Sequence, residues 1–209
     1  MNNRNYQKEL DQILEKLDPT KEKPRLLLHS CCAPCSSYVL EYLHKYFQIT
    51  VYFYNPNITI KNEYYKRVDE VKRLIVEMGL EDVDVIAEDY NAKIFLDMVN
   101  EYNYTEEKEG GLRCHECYRM RLMSTASLAA EKGYDYFTST LSISPHKNAR
   151  WLNELAEEAG TIYGVKSLPS DFKKKNGYKR SIELSAEYNL YRQDYCGCIY
   201  SKKEREEQR

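Results

Sequence analysis

Residues 25–35 read RLLLHSCCAPC, and this stretch decides the fold. A short apolar run closes on a histidine, a polar loop follows, and Pro34 stands where a helix can begin, since the N–H it lacks would be unpaired there anyway. The pattern is a buried strand over 25–29 feeding a helix that runs to about Tyr46. Working outward, the alternation repeats. Residues 48–54 (QITVYFY) have the β-branched and aromatic content of a second strand. Tyr64, Val68, Val71, Leu74, Ile75 and Met78 keep helical spacing up to a stop at Gly79. A third strand fits 83–87 and a helix 92–102. After a polar loop at 105–111, a long helix fits 114–131, with Gly133 closing it. Residues 135–141 read as a fourth strand, and a helix starts at Ser144–Pro145 and ends at Gly160. Residues 161–165 read as a short fifth strand. Upstream, residues 5–17 form an amphipathic helix and 21–24 a polar linker.

Strands alternating with helices predict an α/β fold of three layers, with a mostly parallel sheet of about five strands. Ligands of such sheets sit beyond the carboxyl ends of the strands, which is where Cys31 and Cys32 fall. One catalytic domain is expected over 1–201. Residues 1–24 are its N-terminal helix and linker. Residues 166–201 form a cysteine-bearing C-terminal extension, with a helix near 181–188. The charged tail 202–209 is expected to be disordered.

The chain has 209 residues, with 31 Lys and Arg against 33 Asp and Glu, for a net charge of −2. That excludes a globally basic nucleic-acid coat but not a local basic patch. No apolar run approaches the ~20 residues of a membrane span. The charged N-terminus lacks the apolar stretch of a signal peptide, so a cytoplasmic protein without membrane contact is expected.

Seven cysteines fall in three tight groups: Cys31, Cys32 and Cys35; Cys114 and Cys117; Cys196 and Cys198. Residues used only as small core fillers would scatter, and an odd count outside an oxidising compartment argues against a disulfide framework. Cys114 and Cys117 share a helix face or converge from a loop. Gly197 lets the C-x-C backbone fold so that both sulfurs point inward. Cys35, in a first helical turn, has its thiolate favoured by unpaired N–H groups.

Three readings compete. The thiolates bind metal, and since a zinc or an iron–sulfur cluster takes four ligands, seven can serve one cluster and a second centre. Alternatively Cys32-Ala-Pro-Cys35 is a dithiol of a thiol–disulfide oxidoreductase. Or the metal is a structural staple. His29 is either a site residue or a satisfied strand-end residue. Asp194, two residues before Cys196, suits iron, which accepts mixed oxygen and sulfur ligands; Asp171 is a second candidate, as ligand or acid. Tyr191 and Tyr195 flank the same loop. Residues 173–180 carry five positive charges (Lys173, Lys174, Lys175, Lys179, Arg180). They are either a solvated surface or a phosphate-contacting segment that positions RNA.

The stretches HSCCAPCSSYVLEYL, YNPNI, RCHECYRMRL, SPHKN, SDFKKKNGYKRS and LYRQDYCGCIYS occur in that order. Together they resemble the QueH family of epoxyqueuosine reductases, over residues 26–201. The resemblance implies a cobalamin-independent enzyme of the last step of queuosine synthesis. It removes the epoxide oxygen of epoxyqueuosine at the tRNA wobble position. It implies a 4Fe-4S cluster, an additional mononuclear iron, an anticodon arm as partner and an external one-electron donor. The family motifs map onto all seven cysteines. Cys32, Cys114, Cys117 and one of Cys196 and Cys198 are the expected cluster set. The other thiolates serve the second metal, with Asp194 or Asp171 as oxygen ligand. Asp171 or Tyr195 is the expected proton donor. A second resemblance, of fold, is to the ATP-pyrophosphatase-like (HUP-like) group, whose phosphate loop is S-G-G-x-D-S. Here the equivalent is SCCAPCS, residues 30–36, so ATP binding is not expected. A metal-stapled tRNA-binding protein without turnover is the remaining alternative to the thiol–disulfide reading.

Overall fold

A computed structural model describes residues 4–18 and 20–208. Its centre is the run Leu26–Leu27–Leu28, each fully buried in strand β1 (Arg25–His29). A strand covered on both faces reads as a continuous apolar run, and parallel sheets bury both faces because their crossover helices lie there. Strands β2 (Gln48–Phe53), β3 (Asp84–Ala87), β4 (Tyr136–Ser139) and β5 (Lys166–Ser167) complete an all-parallel sheet of order β3-β2-β1-β4-β5. Leu27 stands opposite Thr50 on one side and Phe137 on the other.

The alternation of side chains along β1 sorts the helices. Leu26 and Leu28 face a core built with α1 (Tyr6–Leu14), α2 (Ala33–Leu43) and α3 (Lys61–Glu77). Leu27 faces the opposite core, where α5 (Leu112–Glu131) and α6 (Ala149–Tyr163) supply Leu122, Ala126, Leu152 and Ala159. Each such buried Leu contributes about 1.5–3 kcal/mol. Helix α4 (Lys93–Glu101) packs Phe95 and Val99 with Cys117 of α5. Helix α7 (Gly177–Glu187) lies against α2. The chain leaves β1 for β2 on one side and returns to β4 on the other. The carboxyl ends of β1 and β4 therefore diverge into a crevice.

Several elements differ from the sequence expectation: the fourth strand ends at Ser139 and passes into a 3-10 turn over Thr140–Ile143, and helix α7 starts early, at Gly177. Helix α6 continues through Gly160 to Tyr163 and is closed by Gly164 in the left-handed region (φ +70°). Strand β5 consequently shifts to Lys166–Ser167. Gly160 serves close packing instead of termination: a Cβ there would stand 2.7 Å from the Val165 carbonyl oxygen. The start of α6 falls at Asn148, whose side chain accepts from the Trp151 N–H, after a turn at Ser144–Pro145. The tail expected to be disordered forms helix α8 (Ile199–Glu207). What orders it is Glu204, which pairs with the buried Arg113 at 3.1 Å and accepts from the Glu109 N–H at 2.9 Å. Among the described residues no helix is long and apolar enough to cross a membrane.

Candidate metal centre and active site

Strand β1 delivers Cys31 and Cys32 to the crevice, and Cys32 is the N-cap of α2, with Cys35 in its first turn. The sulfurs of Cys31, Cys32 and Cys35 all lie within 4.8 Å of one another, Cys31 and Cys32 at 3.8 Å. Ligands about 2.3 Å from one tetrahedral ion stand about 3.8 Å apart, so this trio suits a single ion. The loop is fixed from behind. Ser30 Oγ donates to Ser36 Oγ at 2.7 Å, Ser36 Oγ donates to the Cys32 carbonyl at 2.9 Å, and Asn55 Nδ2 donates to the Ser30 carbonyl at 2.8 Å. Hydrogen bonds from Cys31 and Cys35 hold the Cys32 thiol well below its usual range, and the same contacts push Cys35 well up.

His29 takes the structural role. It is fully buried, with Nδ1 2.8 Å from Ser139 Oγ and Nε2 3.1 Å from the Tyr54 carbonyl. Burial, then the Arg121 charge, lowers its pKa to about 4. The neutral ring fastens the end of β1 to β4.

The other four cysteines form a second group. Cys114 and Cys117 lie on the first turns of α5, and Cys198 is the N-cap of α8. Together with Cys196 they line one small buried cavity. The structure therefore groups Cys32 with Cys31 and Cys35, not with Cys114 and Cys117. Three helix N-termini (α2, α5, α8) bear on the cysteines, each favouring thiolate over thiol. The Gly110 N–H donates to Cys114 Sγ at 3.2 Å, and the Ser201 N–H to Cys198 Sγ at 3.4 Å.

The Cys196–Cys198 loop is held by the segment after β2. The Thr59 N–H donates to the Gly197 carbonyl at 3.2 Å, and Arg67 Nη1 donates to the Cys196 carbonyl at 2.9 Å. Gly197 has φ +140°, and a Cβ there would stand 2.9 Å from Ile58. Only glycine fits both the dihedral and the space.

Both groups reach one larger cavity of about 210 Å³. Cys31, Cys35 and Cys196 line it, with Asp194, Tyr195, Lys147 and Arg121. Cys196 and Arg121 line the small cavity as well. Of the two aspartates, Asp194 is brought to this cavity and Asp171 is not. Asp171 is nearly buried and pairs with Lys173 at 2.6 Å and Lys174 at 3.9 Å. The rest of the basic segment also faces carboxylates: Lys175 pairs with Asp11, Lys179 with Glu183, and Arg180 with Glu41. Only Tyr178 and Ser181 of that region line the cavity.

The sequence reading missed four buried cations. Arg67, Arg113 and Arg121 are at most 2% exposed, and Lys147 donates to Cys196 Sγ at 3.0 Å. Arg67 pairs with Glu63 at 2.7 Å, and Lys147 lies 3.9 Å from Glu109. Among the described residues no carboxylate pairs with Arg121. Its Nε donates to the Cys117 carbonyl at 3.1 Å, and its Nη2 has no partner. A buried guanidinium needs nearby negative charge, and the seven cysteines are the available source. All seven are free thiols. Burial pushes Cys117 up to about 12, so the free thiol keeps its proton until a metal displaces it. The donor set, the converging helix ends and Arg121, which has no carboxylate partner among the described residues, therefore fit thiolate-bound metal. The signal was in RCHECYRMRL: Arg113 precedes Cys114, and Arg121 follows Cys117 by one helical turn.

A sequence model of the family described as "Epoxyqueuosine reductase QueH" matches residues 26–204. The curated epoxyqueuosine reductase QueH of Staphylococcus epidermidis is 46% identical over 200 residues, 94% of this chain and 84% of that protein. Those of Streptococcus pyogenes (43%; 95% of this chain, 78% of that protein) and Thermotoga maritima (35%; 87% and 92%) agree. Among solved structures, the U34-tRNA thiolase NcsA from Methanococcus maripaludis, described with its 4Fe-4S cluster, superposes with a TM-score of 0.53. That match covers 93% of this chain and 67% of the thiolase, at 14% identity, so it speaks for the fold alone. This ATP-pyrophosphatase-like fold, two cysteine groups meeting at one cavity, and a match spanning nearly the whole chain agree: the protein belongs to the QueH family of epoxyqueuosine reductases, oxidoreductases of tRNA queuosine formation.

Proposed function

We propose that the 210 Å³ cavity seats the epoxide-bearing ring of a tRNA wobble nucleotide, between a cluster site and an iron site. The observation that carries this reading is that both cysteine groups open onto that one cavity. Cys114, Cys117, Cys196 and Cys198 would hold the 4Fe-4S cluster. Cys31, Cys32 and Cys35 would hold the mononuclear iron. Asp194, which lines the cavity, is a better oxygen ligand than Asp171, which Lys173 engages. When bound, the cluster supplies electrons singly and the iron supplies a Lewis acid.

Converting the epoxide to an alkene consumes two electrons and two protons and releases the oxygen as water. The chain's own residues must exclude bulk water, orient the ring and deliver protons. Tyr195 is suited to the last task. Burial, then the Glu63 charge, raises its pKa, so at neutral pH it keeps a proton to give. Tyr178 on the cavity wall offers a face on which an extruded base can stack. Arg192 and Arg205 line the same cavity and suit flanking phosphates. An external one-electron carrier supplies the electrons, no ATP is consumed, and the tRNA substrate sets a cytoplasmic location. The direct test is anaerobic incubation of iron-loaded protein and a chemical reductant with RNA containing epoxyqueuosine, followed by nucleoside mass analysis. Queuosine is expected. Binding without conversion would leave the stapled RNA-binding reading. Activity in iron-free protein would favour the dithiol one.

The basic segment enters as a secondary contact. Surface ion pairs contribute about 0–1 kcal/mol, so phosphates can displace the carboxylates facing Lys174, Lys175 and Lys179, which are 49–77% exposed. Replacing all three with alanine should weaken tRNA binding and reduce the slope of log K against log salt by about 2–3. An unchanged slope in filter-binding titrations would return them to plain surface.

A further inference from the structure

The cavity between the four cysteines has two walls made of arginine. Arg113 and Arg121 are each 1% exposed, and both line it. Several of their N–H groups are committed. Arg113 donates through Nη1 to the carbonyls of Tyr104 and Glu107, and through Nη2 to Glu204 at 3.1 Å. Arg121 donates through Nε to the Cys117 carbonyl and through Nη1 to Asn55 Oδ1 at 3.4 Å. These contacts fix the two planar forks. One buried nitrogen on each is left without a protein acceptor: Nε of Arg113 and Nη2 of Arg121. A buried donor in a folded protein is nearly always matched; besides Asn57 and Glu109, the acceptors around this cavity include the four cysteine sulfurs.

We propose that Arg113 and Arg121 donate hydrogen bonds to sulfur atoms of the cluster and set its reduction potential, and that neither acts on the substrate. The inference rests on the assignment of the cluster to Cys114, Cys117, Cys196 and Cys198. Lys147 Nζ, already donating to Cys196 Sγ, is a third cation of the same shell. Adding one electron to the cluster adds one negative charge. N–H···S bonds and fixed positive charge in a low-dielectric site stabilise that reduced form more than the oxidised one. The cluster is thereby brought within reach of a milder one-electron donor.

The experiment is a mediated redox titration, followed by electron paramagnetic resonance, of anaerobically loaded full-length protein. Iron and acid-labile sulfide are counted first. Arg113→Gln and Arg121→Gln keep side-chain length and lose the charge. Each should shift the potential negative by at least a tenfold change in the reduction equilibrium, 59 mV for a one-electron couple. Arg150→Gln, on an exposed face of α6, should leave it unchanged. A purely structural role would lower loading or Tm while the loaded fraction titrated at the wild-type potential, and that result overturns the proposal. Where the glutamine variants hold no cluster, wild-type protein decides: Fe–S stretching bands in resonance Raman spectra should move on exchange into D2O, and unmoved bands overturn it. Failure of the cluster assignment looks different, because Cys117→Ala would then retain its full sulfide content.

Discussion

Cys117→Ala should strip the chain of nearly all its acid-labile sulfide, from about four per chain to near none, and lower turnover by at least about 10³-fold, some 4 kcal/mol of transition-state stabilisation. Cys117 is fully enclosed among Cys114, Cys196 and Cys198 at the start of α5. On the proposed assignment, removing one of the four thiolates would leave a cluster iron without its ligand. Cys31→Ala should behave differently. Its sulfur belongs to the trio within 4.8 Å, so the protein should keep its sulfide, lose about one iron and still lose turnover. Iron and sulfide counts on the two variants, prepared side by side without oxygen, check the partition. Loss of sulfide in Cys31→Ala with retention in Cys117→Ala would reverse it.

Arg67→Ala should cost about 3–5 kcal/mol of stability, the usual penalty for breaking a buried ion pair from one side. For a chain of this length that corresponds to a fall in Tm of about 6–20 °C. Arg67 is 2% exposed and ties three things together. Its Nε donates to Glu63 at 2.7 Å, Nη1 to the Cys196 carbonyl, and Nη2 to the Tyr195 carbonyl at 3.4 Å. Alanine leaves the half-buried Glu63 carboxylate with the Tyr191 hydroxyl but no cation, removes the donor to two carbonyls, and frees the loop that carries Tyr195, Cys196 and Cys198. Arg67→Lys keeps a charge beside Glu63 but cannot span all three acceptors, so it should recover only part of the loss. Thermal melts of the three proteins under argon check this. A loss below about 1 kcal/mol for the alanine variant would mean that bound metal alone holds the loop.

The layers of the fold were legible because burial on both faces writes itself into sequence as RLLLH and QITVYF, while the helices carry a one-sided apolar stripe. Helix ends were less legible. Gly160 looks like a stop, but its missing side chain is used against β5, a contact made only after folding. The cysteines announced a metal site, yet spacing along the chain could not partition them. Cys32 and Cys35 are grouped by the β1–α2 turn, and Cys196 joins Cys114 only because the segment 55–59 and Arg67 hold its loop. The ion pairs of the basic segment were hidden for a related reason. Its partners Asp11 and Glu41 lie 164 and 139 residues away in sequence. Buried arginines are the hardest feature to foresee, since a charged residue on a helix ordinarily faces water. What reveals Arg113 and Arg121 is their register with the cysteines.

The proposed four-thiolate site depends on residues 196 and 198, which has a consequence for how the protein is made. A ribosome adds about 5–20 residues per second, so Cys114 and Cys117 emerge several seconds before Cys196 is even polymerised. Throughout that interval the nascent sheet presents a two-thiolate half-site flanked by guanidinium groups. On the proposed assignment a cluster would be installed only after synthesis has passed Cys198, beside the Arg113–Glu204 pair that holds the last helix. On that assignment, termination between Cys35 and Cys196 would yield a chain with the β1–α2 cysteines but without two of the four proposed cluster ligands.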